Sequence, residues 1–271
     1  MNQNATPIPQ QPEPKTRAFY LDSLAKLDDA KVPYVVGGGY AMTYYTGIVR
    51  HTKDLDLFIH RRDRDRALDV LEAAGYQREI TWPHFLAKAI AEGAFVDLLY
   101  NSGNGLSPVD DAYFEHAVHG EVLGRAVPVC PAEEMIWTKA FVQDRDRFDG
   151  ADVNHLVLHR GRQFDWERLL GRFKGHERVL LAHLVLYGYA FPSERENVPA
   201  WVMDRLIGSL EAETPAEGQV CQGTFLAQKP YLPDVGNCGP FHDARLQPPG
   251  PLKIEDIGSL TPEAVAILTA A

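Results

Sequence analysis

Two aspartates stand one residue apart near the end of VVGGGYAMTYYTGIVRHTKDLDLFI, residues 35–59. The acid–apolar alternation of DLDLFI reads as a strand, and on a strand positions i and i+2 share one face. Asp54 and Asp56 therefore project side by side. Like charges that close raise one another's pKa unless a cation sits between them. Hard divalent cations such as Mg²⁺ take oxygen ligands of this kind, one or two carboxylates completed by substrate phosphates. A third acid, Asp97, interrupts the apolar run AFVDLLY, where an unpaired carboxylate would be costly. If that run lies beside DLDLFI, three carboxylates meet.

Gly37, Gly38 and Gly39 follow the short apolar run PYVV and precede YAMTYYTG, which reads as a short helix closed by Gly47. A strand, a Gly-Gly turn and a helix start leave backbone N–H groups aimed outward as an anion site. Glycines also let a phosphate approach closely. Arg50, Thr52 and Lys53 lie between the glycines and the aspartates and offer donors to phosphate oxygens. The combination reads as nucleotide plus Mg²⁺. Each part alone has a plainer reading: paired acids are most often a solvated strand face, and Gly-Gly is most often a turn. The joint order is what argues for a site. Further on, Lys139 has apolar helical neighbours in Met135, Ile136 and Val142, so its ammonium needs an anion. A structural partner for it is Asp149 or Asp152; the alternative is a stem that snorkels to solvent.

The elements that must position these residues are mixed α/β up to Cys130. TRAFYLDSLAKLDDA has a helical period, RDRDRALDVLEAAG is a helix ending at Gly75, and HFLAKAIAEGAFVDLLY reads as two strands joined at Glu92-Gly93. After Pro131 five segments have helical period: PAEEMIWTKAFVQDRDRF, GADVNHLVLHRG, DWERLLGRFKG, HERVLLAHLVLYGYA and PAWVMDRLIGSL. Asp165 stands where an N-cap would, and Pro199 where a first helical turn would. The expected organisation is a disordered arm at 1–15, a catalytic α/β domain at 16–130, a helical domain at 131–213 and an extended strap at 214–271. The strap is expected to pack through Phe225, Tyr231 and Phe241.

Composition narrows the class. The 271 residues suit one large domain or two modest ones, and a net charge of −10 argues weakly against a surface built to coat nucleic acid. Arginine-rich patches at 60–66 and 145–147 lean the other way. Three cysteines, none in a CxxC pair, point to a reducing compartment and no cysteine-based zinc site. His116 and His119 have no third ligand nearby. The N-terminus lacks the charged and apolar regions of a signal peptide, and the run at 179–191 is too short to span a bilayer, so a cytoplasmic protein is expected.

GG-YA…G-IVRHTKDLDL followed by VDLL resembles the nucleotidyltransferase superfamily with the DNA polymerase β catalytic fold, in the form typical of small bacterial members. These include antibiotic nucleotidyltransferases and the enzymes of abortive-infection-type systems. EEMIWTKAFVQDRDRFDGADVNHL resembles the toxin-like branch. The resemblance spans about Val35 to Leu156. It implies an α/β (α+β) nucleotidyltransferase fold with a mixed sheet flanked by helices, a C-terminal helical bundle and an extended tail. It also implies transfer of NMP from an NTP, such as ATP, to a hydroxyl (or phosphate or amine) acceptor with release of pyrophosphate. Two Mg²⁺ ions, or Mn²⁺ in their place, would be held by Asp54, Asp56 and Asp97, with Asp97 also a general base. Gly38, Gly39, Arg50, Thr52, Lys53, Lys139 and Asp152 would bind the nucleotide. The acceptor is either a small antibiotic-like molecule or a macromolecule, tRNA or protein. Two alternatives stand beside this: a non-catalytic NTP-binding module acting through a partner, and a dinucleotide-binding oxidoreductase. The second needs a glycine where Met42 stands and gives no role to a second acid beside Asp54.

Overall fold

A computed structural model describes residues 12–49, 52–253 and 256. The chain opens with α1 (Pro14–Asp29), whose first-turn proline lacks an N–H that would go unbonded there anyway. The helix thus starts inside the span expected to be a disordered arm, and residues 1–11 of that arm lie outside the described residues. Phe19, Tyr20, Leu24 and Leu27 form its buried stripe. Then come β1 (Val35–Val36), α2 (Gly38–Thr46), β2 (Asp54–Phe58), α3 (Arg64–Ala73), β3 (Gln77–Trp82), β4 (Leu86–Ala91) and β5 (Ala94–Leu99). A one-turn α4 (Ala112–Glu115) and a hairpin of β6 (Val118–Val122) and β7 (Arg125–Val129) complete the first half.

Seven strands form one mixed sheet in the order β3-β4-β5-β2-β1-β7-β6. β2 runs parallel to β5 and antiparallel to β1, and β1 runs parallel to β7. Alternation decides the two faces. Leu55, Leu57, Val96, Leu98, Ala87 and Ala89 are all fully buried, and α1 and α3 pack onto these strands. Burying each such leucine contributes roughly 1.5–3 kcal/mol. The intervening positions, Asp54, Asp56 and Asp97, necessarily face the other way. The sheet therefore uses its apolar residues to fix the direction of its acids.

The second half is helical: α5 (Ala132–Ala140), α6 (Gly150–Arg160), α7 (Trp166–Arg172), α8 (Glu177–Ala190) and α9 (Ala200–Ala212). Asp165 caps α7, its carboxylate accepting from the Arg168 N–H at 3.0 Å. Pro199 is itself the N-cap of α9. One expectation is corrected here. The helical period read through residue 148 stops at Ala140, and residues 141–149 form a loop closed by a bridge between Gln143 and Phe148. The Gln143 N–H leaves the helical ladder to donate to the Leu226 carbonyl at 3.0 Å. One apolar core runs from Phe19 to Ala244 and draws on both halves.

The tail is less extended than expected. Single turns of 3-10 helix alternate with a two-stranded ribbon of β8 (Val220–Cys221) and β9 (His242–Asp243). Phe225 is buried, but Tyr231 and Phe241 are exposed. The strap is tied down instead by a buried ion pair, Arg245 Nη2 to Asp243 Oδ2 at 2.6 Å, and by the Asn104 amide donating to the Phe225 carbonyl at 2.8 Å. Residues 257–271 of the strap lie outside the described residues. Among the described residues no helix is long and apolar enough to cross a membrane.

Candidate active site

Register brings the three acids together. β2 and β5 pair with Asp56 opposite Asp97, and Asp54 stands two residues back on the same face. Each of the three offers an oxygen within 4.8 Å of the others, and among the described residues this is the one such cluster of possible metal ligands. Asp97 is buried, while Asp54 and Asp56 keep partial exposure. Burial first, then the charges of Asp54 and Asp97, push the Asp56 carboxyl up to about 7 against the pull of Lys139 and Arg147. Burial also raises Asp97, opposed by its hydrogen bond to Lys88. Carboxylates that hold protons this tightly release them to a cation.

The Gly-Gly turn is built around the same acids. Gly37 donates its N–H to the Asp56 carbonyl at 2.9 Å and caps α2. Gly38 has φ +53°, and a Cβ there would fall 1.6 Å from Asp56 Oδ2. A Cβ on Gly39 would fall 3.0 Å from the Thr52 Cβ. The glycines therefore let α2 press its first turn onto β2. The N–H groups of that turn have no carbonyl four residues back to bond, so they point out of the helix end beside the carboxylates.

The remaining expected residues divide. Thr52 donates its hydroxyl to Asp54 Oδ1 at 2.8 Å, which orients the acid. Lys53 is exposed at the start of β2, and its carbonyl accepts from the buried Tyr20 hydroxyl at 3.2 Å. Arg50 lies outside the described residues. Lys139 donates to Asp149 at 2.9 Å and to Asp152 at 2.7 Å, two of an ammonium's three N–H groups. Burial would raise Asp149, but Lys139 and Arg147 outweigh it and hold the acid below its usual range.

Two residues at the site were not singled out from the sequence. Lys88 donates to Asp97 Oδ1 at 2.7 Å. The signal for it was present: a two-residue turn at Glu92-Gly93 pairs Ala91 with Ala94 and therefore Lys88 with Asp97. Arg147 bonds Asp149 through Nε and Nη2, both at 3.2 Å, yet its side chain is 71% exposed. Its charge reaches both Asp54 and Asp56. The sequence showed it as part of the arginine-rich patch at 145–147, but residues 141–149 read as helix and gave it no place beside the acids.

A mixed sheet with a glycine turn and three convergent carboxylates defines a nucleotidyltransferase. The profile of the family described as "Uncharacterised nucleotidyltransferase" matches residues 22–190, and the chain belongs to that family. Among curated proteins no sequence matches it. Among solved structures, it is similar to ANT(2")-Ia in complex with adenylyl-2"-tobramycin, with 18% identity, 60% of this chain and 98% of that chain covered and a TM-score of 0.44. It is similar to the lincosamide antibiotic adenylyltransferase LnuA at 18% identity, with 52% and 95% covered and a TM-score of 0.38. An antigenic nucleotidyltransferase-like protein from Paracoccidioides brasiliensis matches at 18% identity, with 67% and 93% covered and a TM-score of 0.42.

Proposed function

We propose that this nucleotidyltransferase moves an NMP from an NTP to a hydroxyl (or phosphate or amine) acceptor, with Mg²⁺ and with release of pyrophosphate. The observation that carries the reading is the convergence of Asp54, Asp56 and Asp97 within 4.8 Å beside a helix start. Three carboxylates are an all-oxygen donor set, which suits Mg²⁺ or Mn²⁺ rather than a softer metal. Asp54, Asp56 and Asp97 would hold the cations. When bound, they would neutralise charge on the triphosphate and on the attacking and leaving oxygens.

The chain's own groups do the rest. The N–H groups opened by Gly38 and Gly39 receive phosphate oxygens. Thr52 keeps Asp54 turned to the site, and Lys139, fixed by Asp149 and Asp152, offers its third N–H to the nucleotide. Arg147, Lys53 at the entry to β2 and, as the sequence motif implies, Arg50 supply further donors. The acceptor oxygen bonds to the α-phosphorus as the bond to pyrophosphate breaks, and Asp97 takes the acceptor's proton. In this arrangement residues 16–130 carry the carboxylates, residues 131–213 bring Lys139 across, and the strap from 214 steadies the Arg147 loop through Leu226. The acceptor is either a small antibiotic-like molecule or a macromolecule.

The test is incubation of the protein with each α-labelled NTP and Mg²⁺ against small-molecule, RNA and protein pools. Label in one pool names the acceptor class, and Asp54→Asn or Asp56→Asn abolishes it while melting cooperatively. Undiminished labelling by either variant defeats the assignment.

A further inference from the structure

The row of acids continues beyond Asp97. Asp56, Asp97, Lys88 and Glu79 are successive register partners across β2, β5, β4 and β3. Directly paired residues project to the same face. Lys88 Nζ lies 2.7 Å from Asp97 Oδ1, with the two side chains only 18% and 11% exposed. The same Nζ stands 4.1 Å from the centre of the Phe95 ring. This lysine is held at its head by a carboxylate and an aromatic face, and it does not reach for solvent.

Its place matters because of what it cancels. Three carboxylates within 4.8 Å would draw a divalent cation with or without a nucleotide. Lys88 neutralises one of the three and occupies one of that acid's two oxygens. Lys139 acts on the trio only through space, lowering Asp56 by its charge, because its hydrogen bonds go to Asp149 and Asp152. We propose that Lys88 is a resident cation on Asp97, displaced only by a metal that arrives with a triphosphate, so that the Asp97 side of the site fills when nucleotide is present. The inference rests on the metal reading of the trio given above.

An ammonium carries one charge and three donors. A divalent cation carries two charges, and the triphosphate completes its ligand shell. The bare ion must break the Lys88–Asp97 bond with no such help. Displacement has somewhere to send the ammonium: the Phe95 ring holds it by cation–π attraction, and Glu79 stands opposite it on β3. Lys88 is thus a positioning residue that acts through Asp97. A purely structural ion pair would behave differently, because its loss would weaken the fold and leave metal affinity unchanged or lower.

The experiment is a Mn²⁺ titration of the full chain, read by electron paramagnetic resonance, with and without a non-hydrolysable α,β-methylene ATP analogue. In the wild type Mn²⁺ binds weakly alone and much more tightly with the analogue. Lys88→Met should tighten nucleotide-free Mn²⁺ binding by at least tenfold, and the analogue should shrink that advantage. Lys88→Arg keeps the wild-type pattern, and Lys88→Met combined with Asp97→Asn loses the gain. Should Lys88→Met fail to melt cooperatively, Lys88→Gln serves the same comparison. Nucleotide-free Mn²⁺ binding no tighter than wild type in the folded variant overturns the inference alone. Absence of Mn²⁺ uptake by the wild type even with the analogue overturns the metal reading and this inference with it.

Discussion

Gly38→Ala separates the two services a glycine can render at the turn. At φ +53° any other residue carries left-handed strain of roughly 1–2 kcal/mol. The added Cβ would also sit 1.6 Å from Asp56 Oδ2, 2.5 Å from its Cγ and 2.9 Å from its Cβ. Ordinary contact begins near 3.4 Å, so Oδ2 must retreat by the difference, 3.4 − 1.6 = 1.8 Å. Rotating the carboxylate cannot relieve the contact with the Asp56 Cβ, so α2 and β2 must also part slightly. Overpacking of this kind adds about 1–3 kcal/mol to the strain. A misplacement of about 1 Å at a reacting centre costs on the order of 100-fold in rate. Gly38→Ala should therefore lower nucleotidyl transfer at least about 100-fold and weaken Mn²⁺ binding in parallel. Gly47→Ala is the control, because Gly47 has φ +69° with nothing within 4 Å of the added Cβ. It carries the strain alone, and should melt earlier while leaving transfer within about twofold. Label transfer, Mn²⁺ titration and thermal melting are measured on both. Wild-type Mn²⁺ affinity and transfer in Gly38→Ala would refute the claim that this glycine exists to make room for Asp56.

The same geometry sets other outcomes. Glu134 is fully buried and accepts from both Arg168 and Arg172, the latter at 3.1 Å. Glu134→Ala leaves those guanidiniums short of an anion and should cost about 3 kcal/mol, or about 6–12 °C in melting temperature; an unchanged melt argues that Glu133 and Asp110 suffice. The folded Asp56 carboxyl titrates at about 7 against an ordinary 3.8, so its contribution to stability is fully present below about 4 and is lost as pH rises through 7. Without divalent cations the melting temperature should therefore fall between about pH 5 and 8, Mg²⁺ should restore more at the upper end, and Asp56→Asn should flatten the profile. A metal-free profile that rises over that range contradicts the direction of the shift. Arg147→Ala removes an exposed guanidinium whose pair with Asp149 contributes little to the fold. It should leave the melt within about 2 °C yet raise the NTP dissociation constant about tenfold, checked by calorimetry.

The candidate site was more legible than the sheet around it. DLDLFI announced itself because Leu55 and Leu57 are fully buried and alternate with Asp54 and Asp56, which keep partial exposure. β3 carries no such alternation: its first four residues, Gln77 to Ile80, are all exposed, so no period marks them. The β6–β7 hairpin hides for a different reason. Its turn puts Leu123 at φ +55° beside Gly124 at φ +77°, and a leucine in a left-handed position gives no turn signal. The loop at 141–149 has a helical pattern in sequence and loses it to a tertiary bond, the Gln143 N–H on Leu226. Arg147 was visible as part of an arginine-rich patch but its place at the site was lost with that loop, whereas Lys88 needed only the register that the Glu92-Gly93 turn dictates.

Charge decides in what form a triphosphate can enter. The chain carries a net −10, and three of its 37 acidic residues meet in the trio. Lys88 cancels one of them. In the next tier Lys139 and Arg147 ease Asp56 by their charge but face Asp149 and Asp152, two cations against two anions, so that tier brings no net positive charge. A bare triphosphate would meet a site of its own sign. On the proposed reaction the substrate is therefore the metal–nucleotide complex, whose cation is drawn to the carboxylates that repel its phosphates. The helix start at Gly38 and the exposed guanidinium of Arg147 would act at short range, on the phosphates of that complex. The acids set the order of events, and the cations of the chain refine the pose.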